Sequence, residues 1–153
     1  MITHAFVSPK PDRPDDSLMR PSDWNAEHIF ATPLSLGGFM TLTNVGTAYD
    51  TIAQSRGLGL AAVMFTGVNR FRFGLIVDKV GTGTQSWQLW NQTDSVELAV
   101  IDDAGASTNG KVLEVVVDNP NITGIKLVRV RAKSTVAGDD PNYYGASLLL
   151  QRI

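Results

Sequence analysis

The sequence contains no cysteine. This absence excludes thiolate metal sites, cysteine nucleophiles and disulfide cross-links. Histidine is scarce as well, and the two histidines, His4 and His28, both fall within the first 28 residues. A histidine in a proline-rich segment is poorly placed to be oriented as a general base. We therefore expect both to have structural or solvent-exposed roles, and we expect no metal site and no cofactor.

Neither a charge of one sign nor a long apolar run dominates the chain. The 13 basic and 15 acidic residues give a net charge of -2, which offers no electrostatic reason to expect nucleic-acid binding. No apolar run approaches the roughly 20 residues that span a bilayer. The N-terminus lacks the basic and apolar regions of a signal peptide. We expect a protein that is made in the cytoplasm and has no membrane segment.

The common catalytic motifs are also missing. The sequence has no Gly-x-Ser-x-Gly elbow, and its glycine pairs are not followed by the Lys-Ser/Thr of a phosphate-binding loop. The acidic pairs Asp102-Asp103 and Asp139-Asp140 lie within two residues of a glycine or proline, in turn-forming clusters where aspartate is favoured for local hydrogen bonding. Turn formation is therefore a better interpretation than metal binding, and the sequence predicts a protein that is not an enzyme.

Proline and glycine divide the chain into two parts. Five of the seven prolines, at positions 9, 11, 14, 21 and 33, lie in the first 33 residues, whereas all 14 glycines follow residue 36. Proline fixes φ and removes a backbone donor, so the first part is expected to be extended. We place an extended arm at residues 1–35 and a folded domain at residues 36–153. Trp24, Ile29 and Phe30 are large apolar residues of this arm, and they predict packing against their own domain, a sister subunit or a partner.

The second part alternates apolar and polar residues with the period of half-buried strands. In the clearest run, Phe71, Phe73, Leu75 and Val77 share one face. Similar runs occupy 86–89, 96–100, 113–118 and 126–131, weaker ones occupy 38–44 and 58–65, and a last apolar run covers 143–153. Turn-forming clusters of Gly, Asp, Asn and Pro separate them. About eight strands at this spacing predict an all-β fold, an antiparallel β-sandwich or jelly roll.

Several residues on predicted outward faces are candidates for contacts. Arg129, Arg131 and Lys133 alternate along one strand; the stripe is either a solvated face or a ladder of salt bridges to a partner. Trp90 lies on the polar side of its strand, where it can anchor a subunit contact or stack on a sugar. Ile101, Val112 and Val116 are apolar on faces that the alternation marks as outward. Apolar outer faces favour packing against sister subunits.

The arm carries a resemblance to a known family. The segment from His4 to Lys10, HAFVSPK, and the segment from Leu18 to His28, LMRPSDWNAEH, resemble the N-terminal arm that many structural proteins of tailed bacteriophages share, including head-fibre, tail-fibre and decoration proteins. The C-terminal residues 127–153 are similar to the ends of small phage jelly-roll modules. The long glycine-rich repeats of many fibres are missing, which favours a compact knob near the particle surface.

The resemblance implies a virion protein that attaches to other capsid or tail proteins through its arm. The arm residues expected to make these contacts are Phe6, Pro21, Trp24, Asn25, His28, Ile29 and Phe30. The domain is expected to form a homo-oligomer, with a trimer favoured, and to decorate or stabilise the capsid. The alternative is a tail-fibre or baseplate module that binds a host glycan as a lectin does. The residues expected to contact either a subunit interface or a glycan are Trp90, Arg129, Arg131, Tyr143 and Tyr144. In the glycan alternative, the rings of Trp90, Tyr143 and Tyr144 would stack on the sugar.

Overall fold

The computed structural model describes residues 30–36, 40–42, 45–49 and 60–152. These residues form an all-β structure without a helix. The strands are β1 (Phe30–Leu36), β2 (Met40–Thr41), β3 (Ala61–Met64), β4 (Arg70–Lys79), β5 (Gln85–Asn91), β6 (Val96–Asp103), β7 (Thr108–Asp118), β8 (Ile125–Ser134) and β9 (Asn142–Arg152). The part of the chain described contains no helix long and apolar enough to cross a membrane.

The strands form two antiparallel sheets. The first sheet has the order β1-β9-β4-β7, and the short β2 also pairs with β9; the second sheet has the order β3-β8-β5-β6. The inward rows of the two sheets form one apolar core. Its largest members include Trp87, Tyr143, Phe65, Phe71 and Phe73, all with little or no exposed surface. The all-β antiparallel sandwich predicted from the alternation is confirmed.

Most of the predicted faces agree with the structure. In β4, the side chains of Phe71, Phe73, Leu75 and Val77 are buried in the core. In β8, Val128 and Val130 are buried, whereas Arg129 and Arg131 point to the opposite face and are half-buried. In β7, Val112 and Val116 point outward and are exposed.

The predicted boundary between arm and domain needs correction. The division between residues 35 and 36 cuts through β1, because Phe30–Leu36 pair with β9 from Arg152 to Ala146. Pro33 favoured an arm in the sequence, because proline has no backbone N–H to donate to a neighbouring strand. In the structure β1 is an edge strand, where proline is tolerated. The sandwich therefore includes Phe30. The arm residues Phe6, Pro21, Trp24, Asn25, His28 and Ile29 lie outside the described residues.

The predicted outward position of Ile101 also needs correction. Ile101 stands opposite the buried Trp87 and packs against the core. A bulge is the reason: Leu89 pairs with Ala99, but Trp90 pairs with Glu97, so Leu98 is an extra residue in β6. An extra residue reverses the alternation beyond it. The predicted shared face of Val96, Leu98 and Val100 is therefore not maintained across the bulge.

Candidate functional site

A groove crosses the outer face of the first sheet. One row of cross-strand neighbours consists of small residues on three strands: Ser35 in β1, Ser147 in β9 and Gly74 in β4. The row continues to Glu114 in β7, which pairs with Gly74. The next row is bulkier and includes Ile76 and Val112, which face each other. The groove has a volume of about 340 Å³ and is lined by Ser35, Gly74, Leu75, Ile76, Val112, Glu114, Tyr144, Gly145, Ala146 and Ser147.

Gly74 leaves space in the groove because it has no side chain. It lies in the middle of β4, where a side chain on the outer face would project into the groove. A Cβ atom built there would lie 3.2 Å from Oγ of Ser147, which is a tight contact that a small shift can relieve. A glycine inside a strand commonly marks a close approach or a ligand surface. A larger side chain at this position would fill the groove.

Tyr144 stands at one end of the groove and is held by a hydrogen-bonded carboxylate. Its hydroxyl donates to Oδ2 of Asp78 at 2.9 Å, and the same oxygen accepts from Nδ2 of Asn142 at 2.7 Å. The other oxygen, Oδ1, accepts from the N–H of Gly110 at 2.7 Å. The tyrosine side of the groove is therefore ordered by polar contacts, while the residue keeps 41% of its surface exposed.

These hydrogen bonds shift two pKa values in opposite directions. The amide of Asn142, followed by the N–H of Gly110, holds the pKa of Asp78 below its usual value. The hydrogen bond to Asp78 raises the pKa of Tyr144, because ionisation would remove the donor and place two negative charges together. At neutral pH the pair is a carboxylate that accepts from a neutral phenol.

The other end of the small row carries charge. Oε1 of Glu114 lies 3.5 Å from Nε of Arg72, and both side chains are about half exposed. An exposed pair of this kind contributes little stability. Its groups remain available to contact a ligand or another protein at the edge of the groove.

The predicted contact residues of the second sheet pack within the molecule. The guanidinium carbon of Arg131 lies 4.3 Å from the centre of the Trp90 ring and 5.1 Å from that of Tyr49. Nζ of Lys133 lies 4.7 Å from the same tyrosine ring. Arg129 is the cross-strand neighbour of Trp90. The structure thus brings the predicted basic stripe and Trp90 together, and stacking within the chain already occupies part of this surface.

The loop that carries Tyr49 is fixed beside this stack. The N–H of Val45 donates to Oδ1 of Asp140 at 2.8 Å, and the N–H of Ser134 donates to the carbonyl of Gly46 at 3.0 Å. Burial raises the pKa of Tyr49 to about 12. Tyr49 therefore acts as a neutral packing residue over Arg131 at physiological pH.

Tyr143 does not belong to an exposed site. It has no exposed surface, its hydroxyl donates to the carbonyl of Leu36, and its ring stacks on Trp87 with centroids 6.1 Å apart. Burial raises its pKa. Successive residues of a strand point to opposite faces, so Tyr143 enters the core and Tyr144 reaches the groove. Of the two predicted tyrosines, Tyr144 alone is available to a ligand in this structure.

Sequence reasoning missed the other members of the groove. Gly74 interrupts the apolar run of β4, and an isolated glycine within a strand pattern is a recognisable signal. Asp78, Asn142 and Ser147 gave no comparable signal, because their proximity depends on the pairing of β9 with β4 and on the bulges there. The residues described include no group of three or more His, Cys, Asp or Glu side chains arranged to hold a metal.

The comparisons with known proteins assign no family. No family model and no curated protein match the chain. Among solved structures, a chain from the infectious bursal disease virus Gx strain is 15% identical with a TM-score of 0.48, and the match covers 99% of this chain and 41% of that one.

Two further similarities are at the same level. The VP2 subviral particle of infectious bursal disease virus is 10% identical with a TM-score of 0.45, covering 83% of this chain and 34% of that one. The xylan-binding module CBM15 is 8% identical with a TM-score of 0.46, and the match covers 79% of this chain and 97% of that one. This chain spans less than half the length of the two viral chains. At these identities and TM-scores the similarities assign no function.

Proposed function

We propose that this chain is a non-enzymatic structural module of a bacteriophage particle. Its N-terminal arm attaches it to another virion protein, and its sandwich decorates or stabilises the capsid surface. The observation that carries the proposal is the arm sequence, with HAFVSPK followed by RPSDWNAEH. An arm of this composition needs a surface on which to bury Trp24 and Ile29.

The connection between arm and sandwich suits this role. The arm leads directly into β1, an edge strand whose first residue, Phe30, pairs with Arg152 near the other end of the chain. An extended arm loses conformational entropy when it docks, so buried apolar anchors are needed for useful affinity. Several arms in one oligomer would raise the overall affinity without new contacts.

The outer face of the first sheet supports a role in protein contacts. Val112 on β7 stands beside Ile76 on β4, and these two residues form an exposed apolar band in which 71% of the Val112 surface is exposed; Val116 is exposed further along β7, beyond Glu114. Contiguous exposed apolar surface is typical of interaction sites. In the proposed role this band contacts a sister subunit or the particle.

The test is binding of the purified protein to phage particles that lack it, using the full chain and a chain that begins at Phe30. A deletion to residue 35 would be unsuitable, since it removes β1. We expect the full chain to sediment with the particles at a regular copy number, and the shortened chain to remain in solution while still folded. Equal binding by both chains would contradict the role of the arm.

A second candidate function is recognition of a host glycan by the groove. The observation that favours it is the exposed ring of Tyr144, held by Asp78 beside the hydroxyls of Ser35 and Ser147. An ordered aromatic ring with nearby polar groups is suited to a sugar, which has apolar faces and hydroxyl edges.

The glycan hypothesis is tested with Gly74→Val, which fills the groove, and with Ala62→Val, a control at an exposed position of β3 in the second sheet. Binding to a glycan array by the natural chain and the control, but not by Gly74→Val, would support it. No glycan signal with the natural chain would leave the structural role as the function.

A further inference from the structure

The two sheets have four edges, and three of them are protected against pairing with another strand. β1 contains Pro33, and β3 has four residues. β6 is interrupted by the bulge at Leu98 and carries outward charges at Glu97 and Asp102. Short strands, proline, bulges and charges are the usual means of preventing edge-to-edge association.

The fourth edge, β7, also carries charges, but Lys111, Glu114 and Asp118 are each paired within the chain, and between Lys111 and Asp118 the strand is neither short nor interrupted. From Lys111 to Asp118 it pairs with β4 without interruption, contains no proline, and has five aliphatic residues among eight. Its other side has no strand partner among the described residues. A long, regular and apolar edge strand is a template for pairing with a further chain.

The inward row of β7 is incompletely buried. Leu113, Val115 and Val117 are half-buried, although they stand opposite Leu75, Phe73 and Phe71 of β4, which are fully buried or nearly so. The difference arises because β7 has a neighbour on one side only. A strand added at the free edge would complete the burial of these three side chains.

The hydrogen bonds between β7 and β4 show which backbone groups of β7 remain available at its free edge. The N–H of Asn119 donates to the carbonyl of Asn69 at 2.6 Å, which continues the β4–β7 ladder by one pair. Backbone groups alternate in direction along a strand. The backbone N–H and C=O groups therefore point toward β4 at residues 113, 115 and 117. At residues 112, 114 and 116 they point toward the free edge.

We propose that β7 pairs antiparallel with β7 of a second copy of this chain, about a twofold axis at Val115. The axis position follows from charge and regularity. An axis at Glu114 would place two glutamates directly opposite, which is destabilising. An axis at Leu113 would bring Gly110, with a φ of +62°, into the ladder. An axis at Val115 avoids the glutamate pair and allows a regular ladder from Val112 to Asp118, which ends before Asn119, a residue with a φ of +47°.

The chosen register is chemically compatible along the strand. Glu114 stands opposite Val116 of the second copy, and Val112 stands opposite Asp118 of the second copy. The acidic groups keep their partners within the chain, since Glu114 pairs with Arg72 and Asp118 with Arg70. The inward rows of both copies, Leu113, Val115 and Val117, join into one aliphatic row.

This contact joins the two first sheets into one continuous sheet. A twofold contact produces a dimer, not the trimer that the sequence analysis favoured. Association of the purified chain with itself through β7 does not depend on a role in a phage particle.

The absence of natural cysteine makes the register directly testable. In Val115→Cys the two cysteines would face each other at the axis, at a non-hydrogen-bonded pair with Cα atoms about 4.5 Å apart, within the range of about 4.4–6.8 Å that a disulfide spans. In the control Val112→Cys the cysteine is more exposed, but the two copies would lie roughly 20 Å apart at about 3.4 Å per residue.

The measurement is the yield of covalent dimer after mild oxidation with diamide, which takes up the two electrons and two protons that disulfide formation releases. Far-ultraviolet circular dichroism confirms that both variants fold. We expect rapid, nearly complete cross-linking of Val115→Cys, little of Val112→Cys, and a dimer mass for the natural chain by light scattering. Equal cross-linking of both variants, faster cross-linking of Val112→Cys, or a natural chain that stays monomeric would overturn the proposal.

Discussion

Lys79 provides the sharpest test of how the end of the sandwich is stabilised. Only 1% of its surface is exposed, and its ammonium group donates to the carbonyl of Gly83 at 2.5 Å and to that of Gly81 at 3.3 Å, with the carbonyl of Val80 at 3.5 Å. Methionine preserves most of the volume of the lysine stem. Lys79→Met therefore tests the charge and its hydrogen bonds more than the packing.

The expected loss follows from the shortest contacts. A hydrogen bond from a charged donor contributes about 1.5–3 kcal/mol, and a buried carbonyl left without a donor costs about 1–3 kcal/mol. Removing the buried charge offsets part of this, because its desolvation cost also disappears. We expect a net loss of about 2–3 kcal/mol, which at a urea slope of about 2 kcal/mol/M lowers the unfolding midpoint by about 1–1.5 M.

The matched control is Lys126→Met. Nζ of Lys126 lies 2.6 Å from Oδ2 of Asp94, whose side chain is 41% exposed. An exposed pair contributes little stability, so the control should lower the urea midpoint much less than Lys79→Met does. If Lys79→Met were no less stable than Lys126→Met in urea unfolding, the reasoning about the carbonyl cluster would be refuted.

Asp78 and the stack of Arg131 on Trp90 are each expected to stabilise the fold. Because the folded pKa of Asp78 is lowered, its contribution is present above the unfolded pKa of about 3.9 and disappears as the pH falls through the folded value. Urea midpoints between pH 7 and pH 3 should therefore fall less steeply for Asp78→Asn than for the natural chain, and parallel profiles would contradict the assignment. A double-mutant cycle of Trp90→Ala and Arg131→Ala should give a coupling of about 0.5–2 kcal/mol for the stacked pair, whereas a coupling of zero would mean that the stack does not stabilise the fold.

The alternation of β4, β5 and β8 was readable from the sequence because each strand has one face in a common core. Phe71 and Phe73 in β4, Leu89 in β5 and Val130 in β8 all take the predicted side. Burial of one face is a strong local constraint, since a shift of one residue would expose the whole apolar row. The fold class could therefore be predicted from the sequence alone.

The predictions that were wrong concern residues whose position depends on strand pairing and not on the local alternation of apolar and polar residues. The bulge at Leu98 reversed the expected side of Ile101, and the edge position of β1 made Pro33 acceptable within a strand. The groove depends on four strands that are distant in sequence, so Gly74 and Ser147 could not be connected without the register between β4 and β9. Tyr143 and Tyr144 are adjacent and identical, and which of them is buried depends on the same register.

In the proposed function, the arm attaches this module to a phage particle through buried apolar anchors. The most direct measurement is binding of Trp24→Ala to particles that lack the protein, with the thermal unfolding of the sandwich followed in parallel. Loss of a buried tryptophan anchor typically costs at least 2 kcal/mol, so we predict a reduction in affinity of about thirtyfold or more with an unchanged unfolding temperature. Undiminished particle binding by Trp24→Ala would contradict the claim.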